Sequence, residues 1–232
     1  MTMGILSIGF DDVNVYPPNA KTVVTQYWRG AVEGSLRTKS LHPQCVELNN
    51  PHSWGDLKNE LNSANRTFVY IVGTGDGLAG QFPDSNPPVL PPSDSFEVLA
   101  NRIVHLFACN SAQQLGKDIV QKYKAAAFIG YSGPFYFPTP DAPGSSAAIT
   151  ASFLNCDAQI DYALADGRTV AEAVGAARAE FEKQAVFLEK TNHKFAAQMR
   201  TNAGLLCGPT SGVGEYGDSS MTMLESLQLL GG

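Results

Sequence analysis

The chain has 232 residues, 44% of them hydrophobic and only 16% charged, which predicts a globular protein with a sizeable core and excludes a disordered chain. The net charge of −6, without any basic block, argues against nucleic acid and anionic membranes as partners. No apolar run reaches the roughly 18 residues of a membrane span, and the N-terminus lacks a signal-peptide pattern, so we expect a cytoplasmic protein.

In chain order, five short apolar runs alternate with segments of helical spacing. The runs are nearly continuous in apolarity, which is typical of strands covered on both faces. The alternation predicts one α/β domain over residues 1–232, with a doubly wound, mostly parallel sheet flanked by helices. The predicted strands are residues 5–10, 44–48, 67–72, 103–108 and 125–129, and the predicted helices are residues 21–34, 53–64, 111–123, 145–165 and 169–199.

Local signals predict helix boundaries, a loop and a C-terminal tail. Asp166-Gly167 predicts a helix stop, and Thr169 with Glu172 three residues later has the spacing of a capping box. Residues 74–95 contain five prolines, so we expect a loop there, at the carboxyl edge of the sheet where ligands bind. Residues 207–232 are expected to form an irregular tail with a short helix.

The four cysteines are scattered and show no paired spacing, which predicts reduced thiols rather than a disulfide framework or a zinc site. Cys109 is the sharpest candidate among them, because it ends the apolar run 103–108 and precedes Asn110-Ser111, a good helix cap. A helix N-terminus at that point would favour the nucleophilic thiolate. The alternative is that Cys109 is a buried, inert apolar residue. We expect no metal and no cofactor.

Several short motifs, in their order, resemble the caspase-like cysteine peptidases of clan CD, which include caspases, metacaspases, separases and bacterial CHAT-domain proteins. The motifs are an apolar strand ending in a glycine motif, a second strand ending in Ala-Cys, a third strand with its loop, and a helix-turn-helix segment. They lie at residues 68–77, 104–111, 128–132 and 163–173, and the resemblance covers roughly residues 67–178. It implies a caspase-like sheet and a cysteine endopeptidase acting on protein or peptide substrates, with an activating or regulatory protein as a further partner.

The resemblance assigns the catalytic roles, but this sequence lacks the residue for one of them. Cys109 is the nucleophile, and the backbone N–H groups of Gly75 and Cys109 would form the oxyanion hole. The general base of the family is a histidine, but Thr74 occupies its position, and a threonine hydroxyl does not accept a proton at neutral pH. Three explanations stay open: a natural pseudoenzyme that binds through the fold, a variant made inactive, or another group that replaces the base.

The resemblance also implies substrate-binding residues. Asp11 and Asp12 follow the first strand, where the family shapes the pocket for the residue before the scissile bond, so a basic residue is expected there. The alternative explanation of these aspartates is turn chemistry, since aspartate often ends strands and begins turns. Asp76 would orient a base or bind substrate, unless it is a solvated loop carboxylate, and Ser132 occupies a region that contacts the substrate backbone in the family.

The four histidines offer no obvious replacement for the base. His105 lies four residues before Cys109 on the same strand, about 13 Å away, and we interpret it as a core histidine. His42 and His52 carry no motif, and His193 is expected to be solvated. The resemblance therefore predicts a cysteine endopeptidase that is inactive or impaired. The alternatives are a pseudopeptidase that acts as a binding module and an unrelated α/β domain.

Overall fold

A computed structural model of the chain describes residues 2–9, 24, 26–49, 54–62, 66–76, 96–191 and 193–231, which form one sheet with helices on both faces. The strands are β1 (Thr2–Gly9), β2 (Gln44–Asn49), β3 (Arg66–Asp76), β4 (Ile103–Cys109), β5 (Ala127–Tyr131), β6 (Leu206–Cys207), β7 (Val213–Gly214) and β8 (Gly217–Asp218). The helices are α1 (a π-helical turn, Trp28–Glu33, continued by Gly34–Leu36), α2 (Trp54–Leu61), α3 (Gln114–Gln121), α4 (Ala147–Ala165), α5 (Val170–Lys190), α6 (Ala196–Leu205) and α7 (Met223–Leu229), with a 3₁₀ turn at Phe96–Leu99.

The strand order is β2-β1-β3-β4-β5-β8-β7, and β6 also pairs with β5. All pairs from β2 to β5 are parallel, whereas the three C-terminal strands pair antiparallel. The five predicted strands and the mostly parallel α/β sheet flanked by helices are thereby confirmed. The strand order reverses between β1 and β3, and the carboxyl edge at such a switch point is where open α/β sheets bind ligands.

Strand β4 shows why its sequence is apolar without interruption. Ile103 and Phe107 pack into the cluster under α1 and α4 to α7, and Val104 and Leu106 pack into the cluster on the opposite face, with α2 and α3. Side chains alternate between faces along a strand, so a strand covered on both sides needs apolar residues at every position. Of its residues, only Cys109, at the carboxyl end, is half-buried rather than buried.

The predicted boundary between the two long helices is confirmed. Helix α4 ends at Ala165 with Asp166 as its C-cap, Gly167 has φ +82°, and Thr169 and Glu172 form a reciprocal capping box. The prediction of one helix over residues 169–199 is wrong, because α5 ends at Lys190 and α6 begins at Ala196. The intervening turn buries the ring of Phe195 against the core, which a continuous helix would not achieve.

The prediction for residues 207–232 is confirmed for the short helix, which is α7, and is wrong for the irregular segment before it. Strands β6 and β8 pair with β5, and α7 has its own capping box at Thr222 and Glu225. Gly217 makes this docking possible: its φ is +97°, and a Cβ there would lie 2.2 Å from the carbonyl oxygen of Ala126. The C-terminal segment is therefore part of the sheet. None of the described helices is long and apolar enough to cross a membrane.

Candidate active site

Cys109 is the last residue of β4 and lies at the carboxyl edge of the sheet, where its side chain is half-buried. Strand β3 does not end at Val72, as predicted, but continues alongside β4 to Asp76. Thr74 and Asp76 thus belong to a strand rather than to the predicted loop, and the ladder pairs them with Phe107 and Cys109 respectively.

This register fixes the backbone spacing of the candidate residues. With about 4.8 Å between strands and about 3.3 Å per residue, the Cα atoms of Thr74 and Cys109 are roughly 8 Å apart, and those of Asp76 and Cys109 roughly 5 Å. Gly75 pairs with Ala108, one position before the last pair of the ladder. The two strand ends that the resemblance relates to one another are therefore direct neighbours.

The chain turns sharply after Cys109. Asn110 has φ +58°, a left-handed conformation that asparagine tolerates better than most residues, and its N–H donates to the carbonyl of Gly133 over 3.1 Å. Helix α3 begins only at Gln114, so the prediction of a cap at Asn110 or Ser111 is wrong. The turn separates the thiol from the helix N-terminus by four residues, which weakens the expected effect of the helix dipole on it.

The loop after β5 supports this turn. The backbone N–H and the hydroxyl of Ser132 both donate to the carbonyl of Leu205, over 2.9 and 3.2 Å, and its own carbonyl accepts from the side chain of Gln113 over 2.9 Å. Ser132 is therefore engaged within the protein, and its role as a substrate contact stays a prediction. Asp11 and Asp12 lie outside the described residues.

The thiol of Cys109 lies over an aromatic cluster. It donates a weak hydrogen bond to the carbonyl of Phe135, with 3.9 Å from sulfur to oxygen. The Phe135 ring packs edge-on against Phe107 and Tyr131, with centroid distances of 4.5 and 4.7 Å. Cys109 therefore packs against an apolar, aromatic cluster on the α4 side of the sheet.

Deeper on the same face lies a buried polar network that joins β3, β4 and α4. His105 is fully buried, which confirms the prediction of a core histidine, and its Nδ1 is 2.8 Å from the hydroxyl of Tyr70. That hydroxyl in turn donates a short hydrogen bond to Asp161, whose Oδ1 is 3.3 Å from Nδ1 of His105. If the imidazole is protonated, the tyrosine accepts from it and donates to the carboxylate.

A second carboxylate closes the network on the other side of the imidazole. Oδ1 of Asp157 is 3.3 Å from Nε2 of His105, without the angle of a hydrogen bond, and accepts from the hydroxyl of Tyr131 over 2.5 Å. Burial lowers the pKa of His105, but the charges of Asp157 and Asp161 and the hydrogen bond to Asp161 outweigh it and raise the pKa to about 10. With this pKa the imidazole is expected to be protonated at neutral pH, although burial also raises the pKa of Asp157.

The two aspartates of this network were not identified from the sequence. A usable signal was present: Asp157 and Asp161 are four residues apart in the otherwise apolar helix α4, so they share the face that packs on the sheet. Acidic residues at that spacing in a buried helix require partners, and His105 in the middle of an apolar strand is one such partner.

None of the described histidines is placed to act on Cys109. His105 is four positions away on the same strand, and its nitrogens face carboxylates and Tyr70. His42 is exposed beside the carbonyl of Arg37, and His193 stacks on Phe195 with 5.1 Å between ring centroids. His52 lies outside the described residues.

Within the described part of the chain, no group of three or more His, Cys, Asp or Glu side chains has the arrangement of a metal site. A scan against protein-family models and a search of curated proteins return no match for the chain.

Proposed function

We propose that the chain is a caspase-like cysteine endopeptidase whose nucleophile is Cys109 and whose activity is absent or very low because Thr74 occupies the position of the base. The observation that supports this most is the pairing of the strand ends. The segment with Thr74, Gly75 and Asp76 lies directly beside the segment ending in Cys109, at the carboxyl edge of a parallel sheet.

The surroundings of Cys109 suit a nucleophile better than a core residue. Its side chain is half-exposed, and the left-handed Asn110 behind it is hydrogen-bonded to the next loop. Such backbone conformations cost energy and cluster at functional sites. By contrast, Cys156 is fully buried, and burial raises the pKa of its thiol far above the ordinary value.

The mechanism requires a base that Thr74 does not supply. With a histidine at that position, the imidazole would remove the thiol proton, and the thiolate would attack the scissile carbonyl. The C–N bond would then break, the amine would leave with the proton from the imidazolium, and Cys109 would remain as a thioester acyl-enzyme. The N–H groups of Gly75 and Cys109 would stabilise the oxyanion, and water would then release the acyl group. The preferred substrates are peptides or proteins with a lysine or arginine before the scissile bond.

The test is to introduce Thr74→His and to assay cleavage of lysine- and arginine-containing peptides. A general base contributes about 10²- to 10⁴-fold, so we expect cleavage to rise by roughly 10²-fold or more over the unaltered chain. Cys109→Ala in the same background should abolish it. No Cys109-dependent cleavage in the folded Thr74→His variant would refute the peptidase proposal.

A pseudopeptidase that binds a peptide or protein partner is the second candidate. It is favoured by Thr74 itself and by the absence of a histidine near Cys109 among the described residues. Asp76 is the ladder neighbour of Cys109, and its carboxylate is a candidate to replace the base. If the unaltered chain cleaves slowly and Asp76→Asn removes this activity, the pseudopeptidase candidate fails; if peptides bind without cleavage in every variant, it is supported.

A further inference from the structure

One side of the long helix α5 is exposed and carries apolar side chains. Val186 is 38% exposed and Phe187 is 60% exposed, and both lie on this side. Single apolar residues on a surface are ordinary, whereas an apolar patch rimmed by polar residues marks an interaction site. The α5 face, as we define it here, consists of Glu172, Ala176, Ala179, Lys183, Val186, Phe187 and Lys190, and the last five of these line an open groove.

The spacing of residues along the α5 face is that of a coiled-coil seam. Six positions follow one another at intervals of four, three, four, three and four residues, namely 172, 176, 179, 183, 186 and 190. This alternation keeps side chains on one side of a helix, so the six positions form a seam about 27 Å long. Such a seam is suited to packing against another helix.

The seam is complementary to itself when a second copy of α5 lies antiparallel to it. With a two-fold axis beside Phe181, Val186 and Phe187 of one copy would flank Ala176 of the other, so large side chains meet a small one. At the centre, the aliphatic stem of Lys183 would cross Ala179 of the other copy. Its ammonium group could stay with Glu180, which it contacts over 2.9 Å.

The charges at the two ends of the seam select the same orientation. Glu172 lies in the first turn of α5 and Lys190 in the last turn. An antiparallel pair sets Glu172 of each copy beside Lys190 of the other, whereas a parallel pair would set like charges together at both ends. One carboxylate oxygen of Glu172 accepts from Thr169, and a carboxylate has a second oxygen for the pair.

The apolar contacts and the charges therefore agree on one partner, a second copy of this chain. We propose that the α5 face is the interface of a symmetric homodimer, in which two copies of α5 pack antiparallel with Phe187 of each beside Ala176 of the other. The proposal goes beyond the peptidase function and does not depend on it, because the α5 face contains neither Cys109 nor Thr74.

The size of the α5 face predicts a weak dimer. A standard interface takes about 20–30 residues from each partner, and the α5 face supplies seven. The interface therefore belongs to the small class that is typical of transient association. We expect monomer and dimer to exchange, with a dissociation constant of about 10 µM or weaker.

Sedimentation velocity of the unaltered chain between about 1 µM and 1 mM tests this, because the dimer should accumulate with concentration. Phe187→Ser should weaken dimerisation by about tenfold or more, since large aromatic side chains dominate interface energies. Leu224→Ser is the matched control: it removes an apolar side chain of α7 that is 49% exposed, outside the α5 face, and should leave dimerisation unchanged. Both side chains are exposed, so both variants should fold.

A charge reversal tests the antiparallel arrangement. Lys190→Glu should weaken dimerisation by about fivefold at low ionic strength, because it sets like charges together at two symmetry-related positions. Adding Glu172→Lys to that variant reverses both charges of each pair and should restore dimerisation. Lys58→Glu, which makes the same change of net charge at an exposed lysine of α2, should have little effect.

Three outcomes would overturn the proposal. The first is a chain that stays monomeric over the whole concentration range, and the second is an equal effect of Phe187→Ser and Leu224→Ser. The third is a folded double charge reversal that dimerises no better than Lys190→Glu alone, which would refute the antiparallel pairing. If the double variant does not fold, the comparison of Phe187→Ser with Leu224→Ser on the folded chains decides the matter.

Discussion

The imidazole of His105 is fully buried, and its charge depends on two carboxylates of helix α4. Burial alone would make it neutral, yet the charges of Asp157 and Asp161 and the hydrogen bond to Asp161 raise its pKa to about 10. The hydroxyls of Tyr70 and Tyr131 each donate to one of these carboxylates. The network therefore fastens three neighbouring strands to one helix through charge as well as through apolar contact.

The raised pKa of His105 predicts a defined pH dependence of stability. Because the folded pKa of about 10 lies above the unfolded value of about 6.5, the stabilisation is fully present below pH 6.5 and is lost as the pH rises through 10. The loss is at most about 1.4 kcal/mol per pH unit. Urea unfolding of the unaltered chain between pH 6 and pH 10 should show it.

His105→Gln should lower the free energy of unfolding at pH 6 by about 3–5 kcal/mol, because it leaves Asp157 and Asp161 without their cation. It should also flatten the decline between pH 6.5 and pH 10. His193→Gln, at a histidine that is only half-buried, should retain the decline. If the His105→Gln variant loses stability with rising pH as steeply as the unaltered chain, the core histidine is not charged.

At the scale of elements, the C-terminal strands depend on one glycine. Gly217→Ala places a Cβ against the carbonyl oxygen of Ala126 and strains a positive φ, so we expect a loss of about 2 kcal/mol or more in unfolding free energy. Limited proteolysis should then release the segment after β7 more readily. Gly214→Ala is the matched control, since a Cβ there meets no atom within 4 Å and should cost less than about 1 kcal/mol.

A Gly217→Ala variant as stable and as protease-resistant as the Gly214→Ala variant would contradict this account of the edge. The outcome matters for the site as well. Strand β5 pairs with β6 and β8. The loop that follows β5 is hydrogen-bonded to the turn after Cys109, because the carbonyl of Gly133 accepts from the N–H of Asn110. Loosening that edge should therefore disturb the backbone behind Cys109.

The elements show how far sequence reasoning reaches. The five parallel strands and the capping box at Thr169 follow from local patterns, because apolar runs and caps are properties of neighbouring residues. The extension of β3 through Gly73 and Thr74 does not follow, since it depends on pairing with β4, which lies some thirty residues away along the chain. The docking of Gly217 on β5 is likewise a tertiary contact that a glycine-rich sequence conceals.

The same distinction between local and tertiary features applies to the candidate site. Cys109 at a strand end was predicted and is confirmed, because one strand and its carboxyl end determine it. The small cavity between β1, β3, β4, α4 and residues 24–32, which Asp157 and Asp161 line, was not predicted, because its walls are brought together by five separate elements. Sequence alone therefore locates the candidate nucleophile, while the chemistry of the surroundings depends on the assembled fold.

At the scale of the whole molecule, a parallel sheet presents three features at or near one edge: a half-exposed thiol, a neighbouring strand end without a histidine, and a cavity with two carboxylates. The sheet carries the first two on adjacent strands and the third beneath them.

The central claim is that Cys109 is a nucleophile without a general base, because Thr74 occupies the position of the histidine. The most direct measurement is covalent labelling of the Thr74→His variant with a lysine-containing peptide acyloxymethyl ketone, with the adduct located by mass spectrometry. The account predicts an adduct on Cys109 that forms about 10²-fold faster than in the unaltered chain, with little on Cys45 or Cys207, which are also half-buried. Labelling of those two cysteines at the same rate as Cys109, or no adduct on Cys109, would contradict it.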